Sequence, residues 1–230
     1  MTEQYKIDNT NLEINAETTE AGQAVYSKLV LSIYDWWVLG FSNKLLWKCP
    51  TRILENEFKK YASDNHCDVG VGTGYYPDKC LSNPEQRLGL IDLNANSLQI
   101  AAERNKRFNP ETYQANILEP ISIDCKKFDS LSLHYVLHCL PGSLHQKATC
   151  FQHLKPLLNP EATVFGSTIL GTGVERNALA NYVSNTYNRK GIFCNSEDSL
   201  EILTTVLSEH FSSYEVRQEG SVLIFHGQLS

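Results

Sequence analysis

The stretch His66-Cys67-Asp68-Val69-Gly70-Val71-Gly72-Thr73-Gly74-Tyr75-Tyr76 reads as the end of a strand, a glycine-rich turn and the start of a helix. Glycines at every second position let the backbone turn tightly and approach a ligand closely, and the helix that follows offers unpaired N–H groups at its start. Spacing narrows the ligand. A dinucleotide fingerprint needs G-x-G-x-x-G. Counted from Gly70 and Gly72 the third position is Tyr75, and counted from Gly72 and Gly74 it is Pro77, so both registers fail. No Gly-Lys-Ser/Thr follows, which excludes a P-loop. An acid, Asp68, precedes the glycines instead. A carboxylate there repels a pyrophosphate but accepts hydrogen bonds from an ammonium, so the cofactor should carry a cation rather than a phosphate. Asp92 agrees. It ends the next strand in Gly89-Leu90-Ile91-Asp92-Leu93-Asn94, 20 residues after Gly72, where a carboxylate is placed to accept both hydroxyls of a ribose. Asn94 is the better cap for the helix beginning at Ala95.

Outward from this turn, short apolar runs alternate with helical patterns. Strands are predicted over 67–71, 87–93, 112–115, 130–134 and 162–169, with helices over 76–81, 95–108 and 144–158 between them. That alternation implies parallel strands joined by crossovers, hence a doubly wound α/β sheet. Two further helices, 177–188 and 199–211, precede strands 213–218 and 222–227, which the break Glu219-Gly220-Ser221 joins as a hairpin. The expected fold is therefore a seven-stranded, mostly parallel sheet with a C-terminal antiparallel hairpin. Ahead of it the pattern is helical only: 21–37, 44–48, and 51–62 with Thr51 as N-cap. We read one domain over 1–230, with a helical cap over about 17–62 and a cofactor-binding core over 63–230.

Composition bounds the class. The 230 residues are 42% hydrophobic and 20% charged, the make-up of a globular domain with one core. No apolar run is long enough to span a bilayer, and the polar N-terminus lacks a signal-peptide pattern. Seven scattered cysteines with no C-x-x-C pair suit a reducing, cytoplasmic setting. With 26 acids against 20 bases the net charge is -6, which does not favour a nucleic-acid partner.

The ordered set of these pieces resembles the class I S-adenosylmethionine-dependent methyltransferases from about Tyr26 to Gly227. Asp68 to Gly74 is similar to their first motif and Asp92 to the acid ending their second strand. Tyr113-Gln114-Ala115-Asn116-Ile117-Leu118 stands in the place of the third motif, and Phe128 to Pro141 in that of the fourth strand. The resemblance implies S-adenosyl-L-methionine as cofactor. Gly70, Gly72, Thr73 and Gly74 would face its methionine part, Asp92 and Leu93 the ribose, and Asn116 and Ile117 the adenine. Leu133 and His134 would line its far side. Asn116 departs from the family's usual Asp, although its side-chain oxygen still accepts an amino N–H. Ile33-Tyr34-Asp35 is similar to the Tyr-Asp segment that leads methyltransferases acting on quinones and other small molecules, where Tyr34, together with Tyr26, would help to close the cofactor site.

Methyl transfer from a sulfonium is an in-line displacement that needs alignment, exclusion of water and sometimes a base. His134, at the end of the fourth strand, is the first candidate base and His138 the second. Their i, i+4 spacing also suits a metal, but no third ligand stands nearby. An acceptor pocket is expected between the aromatic cap, with Trp36 and Trp37, and the segment after the fifth strand, Leu170 to Val174, with the helix carrying Tyr182. The absence of Asn/Asp-Pro-Pro-Tyr/Phe after the fourth strand sets aside methyltransferases of base or glutamine amino groups. The expectation is a small-molecule methyltransferase, monomeric or homodimeric, with the O, N or C acceptor open. A non-methylating cofactor-binding protein and an RNA or protein methyltransferase are the alternatives.

Overall fold

The computed structural model describes residues 42–230. Residues 42–46 form a wide helical turn, closed by the Trp47 N–H on the Ser42 carbonyl at 3.0 Å, where the sequence predicts a helix over 44–48. Helix α1 (Thr51–Tyr61) follows. Its N-cap is Pro50, not Thr51. Proline's fixed φ already holds the chain extended there, so Thr51 begins the helix and its hydroxyl accepts instead from the Asn43 amide at 3.0 Å.

The elements then run β1 (Asn65–Val69), α2 (Tyr75–Cys80), β2 (Arg87–Asp92), α3 (Ala95–Arg104), β3 (Glu111–Gln114) and β4 (Phe128–His134). After them come α4 (Leu144–Lys147), α5 (Thr149–Leu154), β5 (Leu158–Ile169), α6 (Ala178–Arg189), α7 (Leu200–His210), β6 (Phe211–Glu219) and β7 (Val222–Leu229). The helix predicted over 144–158 is thus two short ones and a tight turn, Lys155–Leu157. Pro156 in that turn has no N–H to continue an α-helix, so β5 starts four residues earlier than expected. Asn94 caps α3 as predicted, accepting the N–H groups of Asn96 and Ser97.

One seven-stranded sheet holds the order β3-β2-β1-β4-β5-β7-β6. The first five strands are parallel; β7 enters antiparallel between β5 and β6. The order reverses between β1 and β4, which opens a crevice beyond their carboxyl ends. One face of the sheet buries Leu131, Leu133, Phe151, Leu203, Leu207 and Phe225. The other buries Phe58, Leu88, Leu90, Phe165 and Ile224, and Trp47 joins it from the leading segment. Phe58 of α1 is the hinge of that second layer, meeting Tyr76, Phe165 and the rings of His66 and His134 within 6 Å.

Candidate cofactor and acceptor site

Strand β1 ends at Val69 and the glycine turn begins at once, with the Gly70 N–H on the Ile91 carbonyl at 2.8 Å and the Gly74 N–H on the Val71 carbonyl at 2.8 Å. All three glycines have positive φ: 68° at Gly70, 52° at Gly72 and 70° at Gly74. Their surroundings differ. A Cβ on Gly70 would stand 2.4 Å from Val136, and one on Gly74 2.8 Å from the Cα of Ala101. These two let β1 pack on the exit of β4 and on α3. A Cβ on Gly72 would meet nothing within 4 Å among the described residues. Of the three, Gly72 is the position that these residues leave open.

Two carboxylates flank that space. Asp68 is buried and accepts the Ser132 hydroxyl at 2.5 Å. Burial raises its pKa to about 7, the Ser132 bond lowering it and the charge of Asp92 adding to the rise. Asp92 accepts the Asn94 N–H at 2.8 Å. Its pKa is also raised by burial, against the pull of the Asn94, Gly72, Val71 and Leu93 N–H groups. Two desolvated acids beside a bare backbone suit a ligand with a cation and hydroxyl donors, and S-adenosylmethionine carries both an ammonium and a ribose.

The other sequence-predicted residues lie as follows. Thr73 is buried and accepts from Arg104 at 3.2 Å. Leu93 is half-buried, its carbonyl taken by the Gln114 amide at 3.0 Å. Asn116 closes a turn: its Oδ1 accepts the Leu118 N–H at 3.1 Å and its amide donates to Glu119 at 2.8 Å. Ile117 is buried. Leu133 is fully buried in the first core face, away from the layer that holds His134. Tyr182 is 66% exposed on α6. Tyr26, Tyr34, Trp36 and Trp37 lie outside the described residues.

His134 is packed as a core residue. Its Nδ1 meets the Ser167 hydroxyl at 3.0 Å, and its ring stacks near Tyr76 and Phe58. Burial pushes its pKa down to about 3. His138, also buried, packs edge-on to Phe193 with centroids 4.5 Å apart, and burial pushes it to about 3 as well. An imidazole that resists protonation this strongly is a weak proton acceptor.

Sequence reading missed three features. Tyr135, directly after β4, has φ 58°, a conformation rare for an aromatic residue and typical of functional turns. The segment 192–198 is tied down by Lys147, whose ammonium, fully buried, donates to Asp198 at 2.7 Å and to the Cys194 carbonyl at 2.5 Å. That segment carries Phe193, whose ring lies 6.0 Å from Trp47. Trp47, Phe193 and His138 therefore form a buried aromatic cluster beyond the ends of β4 and β5. Arg176, in the loop after β5, sets its guanidinium over the Trp47 ring at 5.7 Å. Only Gly171 carried a hint: a Cβ there would strike the Asn195 backbone, so glycine is obligatory.

Comparison with known proteins gives the following. Residues 67–164 match the methyltransferase domain family. The chain is 35% identical over 205 residues to demethylluteothin O-methyltransferase of Streptomyces thioluteus, covering 89% of each chain. It is 37% identical over 209 residues to the physcion biosynthesis cluster O-methyltransferase of Aspergillus chevalieri, covering 90% of this chain and 94% of that one. Among solved structures, the N-methyltransferase NodS from Bradyrhizobium japonicum WM9 in complex with S-adenosylhomocysteine superposes with a TM-score of 0.56 at 19% identity. That match covers 78% of this chain and 87% of NodS, a likeness of fold.

Proposed function

The chain belongs to the class I S-adenosylmethionine-dependent methyltransferases, an enzyme acting on small molecules, and we propose that its acceptor atom is a hydroxyl oxygen. Two relatives of a third or more identity, each matched over nearly its whole length, bear the name O-methyltransferase. The observation that carries the cofactor assignment is the bare turn at Gly72 between Asp68 and Asp92.

When bound, S-adenosylmethionine supplies a methyl group on a sulfonium, which the acceptor oxygen takes as the bonding pair returns to sulfur. The chain's own residues bind, orient and exclude water. Asp68 would hold the ammonium, Asp92 the ribose hydroxyls, and Asn116 the adenine amino group through the remaining lone pair of its Oδ1. Gly70 and Gly74 set the turn, and Gly72 leaves the space. Tyr26 and Tyr34 would close the site from the leading segment, and Trp36, Trp37 and Tyr182 would border the acceptor. Neither His134 nor His138 is needed to move a proton in this reading. The seven thiols, all free, suit a cytoplasmic setting.

The test is transfer of a labelled methyl from S-adenosylmethionine to a panel of small phenols, enols and amines. Label recovered in ethers supports the reading; label recovered only in amines, or in none, overturns it.

A further inference from the structure

Arg176 is half satisfied. Its Nη1 donates to the Gly171 carbonyl at 3.0 Å. Its Nε and Nη2 are both buried and meet no hydrogen-bond partner among the described residues. Desolvation lowers its pKa with no carboxylate to offset it, yet a guanidinium keeps its charge at any working pH. A half-buried cation with two buried, unmet nitrogens is costly to hold.

The geometry of the unmet pair is informative. Nε and Nη2 share one edge of the guanidinium plane, the edge that grips two oxygens side by side. Its position is set from both ends. Gly171 leaves the carboxyl end of β5, and Gly171 and Thr172 are pinned by their N–H groups to the Asp198 carbonyl at 2.8 and 3.2 Å. The other side is the Trp47 ring, which leads through Phe193 to His138 just past β4. The unmet edge thus belongs to the carboxyl face of the sheet, beside the aromatic cluster. Asp198, the buried acid whose carbonyl holds Gly171 and Thr172, has its carboxylate engaged by Lys147.

We propose that Arg176 binds the methyl acceptor, and that the acceptor enters as an anion presenting two oxygens on one edge. An ionised enol or phenol beside a carbonyl meets this description, and so does a carboxylate. The proposal rests on the oxygen-acceptor reading above and deepens it. An acceptor already ionised has given its proton to solvent, so its oxygen carries the electron pair that bonds to the methyl carbon. The sulfonium leaves as a neutral thioether, the product is neutral, and no protein base is required. That agrees with two nearby histidines held neutral by burial.

The test is calorimetric titration of the full chain, saturated with S-adenosylhomocysteine at pH 7.5, with three probes. These are 3-acetyl-4-hydroxycoumarin, an enolate beside a carbonyl; benzoate, a carboxylate; and neutral coumarin. At least one anion should bind the parent protein and lose about 10- to 100-fold in affinity in Arg176→Gln, the loss typical of charge-assisted hydrogen bonds. Arg176→Lys should recover part of it, since the charge returns without the fork. Affinity for coumarin and for S-adenosylhomocysteine should not change. The arm that responds names the source of the oxygens. Equal anion affinity in parent and Arg176→Gln, an equal loss for coumarin, or no anion binding to the parent protein overturns the proposal. A fall in S-adenosylhomocysteine affinity instead would assign Arg176 to the cofactor and overturn it too. Anion binding through Arg176 with methyl transfer only to amines would leave this site standing and overturn the oxygen-acceptor reading.

Discussion

Ser132 donates its one hydroxyl hydrogen to Asp68 across 2.5 Å, and that bond sets the direction of its neighbours. With its hydrogen spent, the Ser132 oxygen can only accept from His66, whose Nε2 lies 3.0 Å away. His66 Nδ1 then accepts from Ser130 at 2.8 Å, and the Ser130 oxygen takes the Ser63 N–H at 2.8 Å. The direction holds while Asp68 is ionised. A buried polar chain thus runs between adjacent strands from the cofactor turn to the start of β1.

Asp68 makes the protein's stability depend on pH in a predictable sense. Its pKa rises from 3.8 to about 7 on folding, chiefly through burial. The folded state therefore holds that proton more tightly, and ionising it costs stability as pH climbs from about 4 to 7. Because the buried histidines titrate over part of the same range, the readout is a difference. The stability of Asp68→Asn relative to the parent, from urea unfolding without cofactor, should increase from pH 4.5 to 7.5 and then level. A difference that stays constant with pH would contradict the assignment.

The histidines give the opposite slope. His66, His134 and His138 are each pushed to about 3 by burial. In the unfolded chain they take protons below about 6.5 and in the folded chain they do not, so the protein should lose stability as pH falls from 6.5 toward 3. For the same reason the pH profile of kcat/KM should show no limb near 6.5 from either candidate base. His134→Asn, which preserves a partner for Ser167, should keep activity within about tenfold of the parent; a general base would cost about 100- to 10,000-fold.

Gly72 and Gly74 should separate binding from folding. A side chain at Gly74 meets the Ala101 backbone, so Gly74→Ala should lower the melting temperature sharply. The Cβ of Gly72→Arg meets nothing within 4 Å among the described residues, and the fold should survive with about 1 kcal/mol of left-handed strain. It fills the space proposed for the cofactor, so S-adenosylhomocysteine binding should vanish by calorimetry. Undiminished affinity in Gly72→Arg would refute the placement of the cofactor.

Lys147 and Asp198 should be unequal to their removal. Both side chains are almost wholly buried, and deleting one partner strands the other's charge. Lys147→Met or Asp198→Asn is expected to cost about 3–5 kcal/mol in urea unfolding. The double variant should cost less than the sum of the two, because no lone charge remains.

Local pattern made the glycine turn, Asp92, the Asn94 cap and the terminal hairpin legible, since each is decided by residues within a few positions of one another. What stayed hidden depends on distant partners. Lys147 and Asp198 are separated by 51 residues, and nothing in the local pattern around Lys147 marks it as buried. Ser132 and His66 meet only because β4 lies beside β1. His134 stood at the strand end where a base is wanted, but the tight packing of Phe58 and Tyr76 over it has no signature along the chain. Among the described residues, Arg176 lies over Trp47, which in turn packs on Phe193, a partner 146 residues along the chain.

The turn at Gly220 carries a consequence for how the chain is made. A Cβ there would strike the Trp47 carbonyl, which also receives the Ser221 N–H at 2.8 Å, while the Ser221 carbonyl takes the Leu170 N–H. During synthesis the segment around Trp47 leaves the ribosome early and must wait for a hairpin that emerges among the last of the described residues. Strand β5 likewise lacks its second neighbour until β7 arrives. Until then the outer edge of β5 has no strand to cover it and the Trp47 carbonyl no donor, so the nascent chain is open to wrong pairing until the hairpin has emerged.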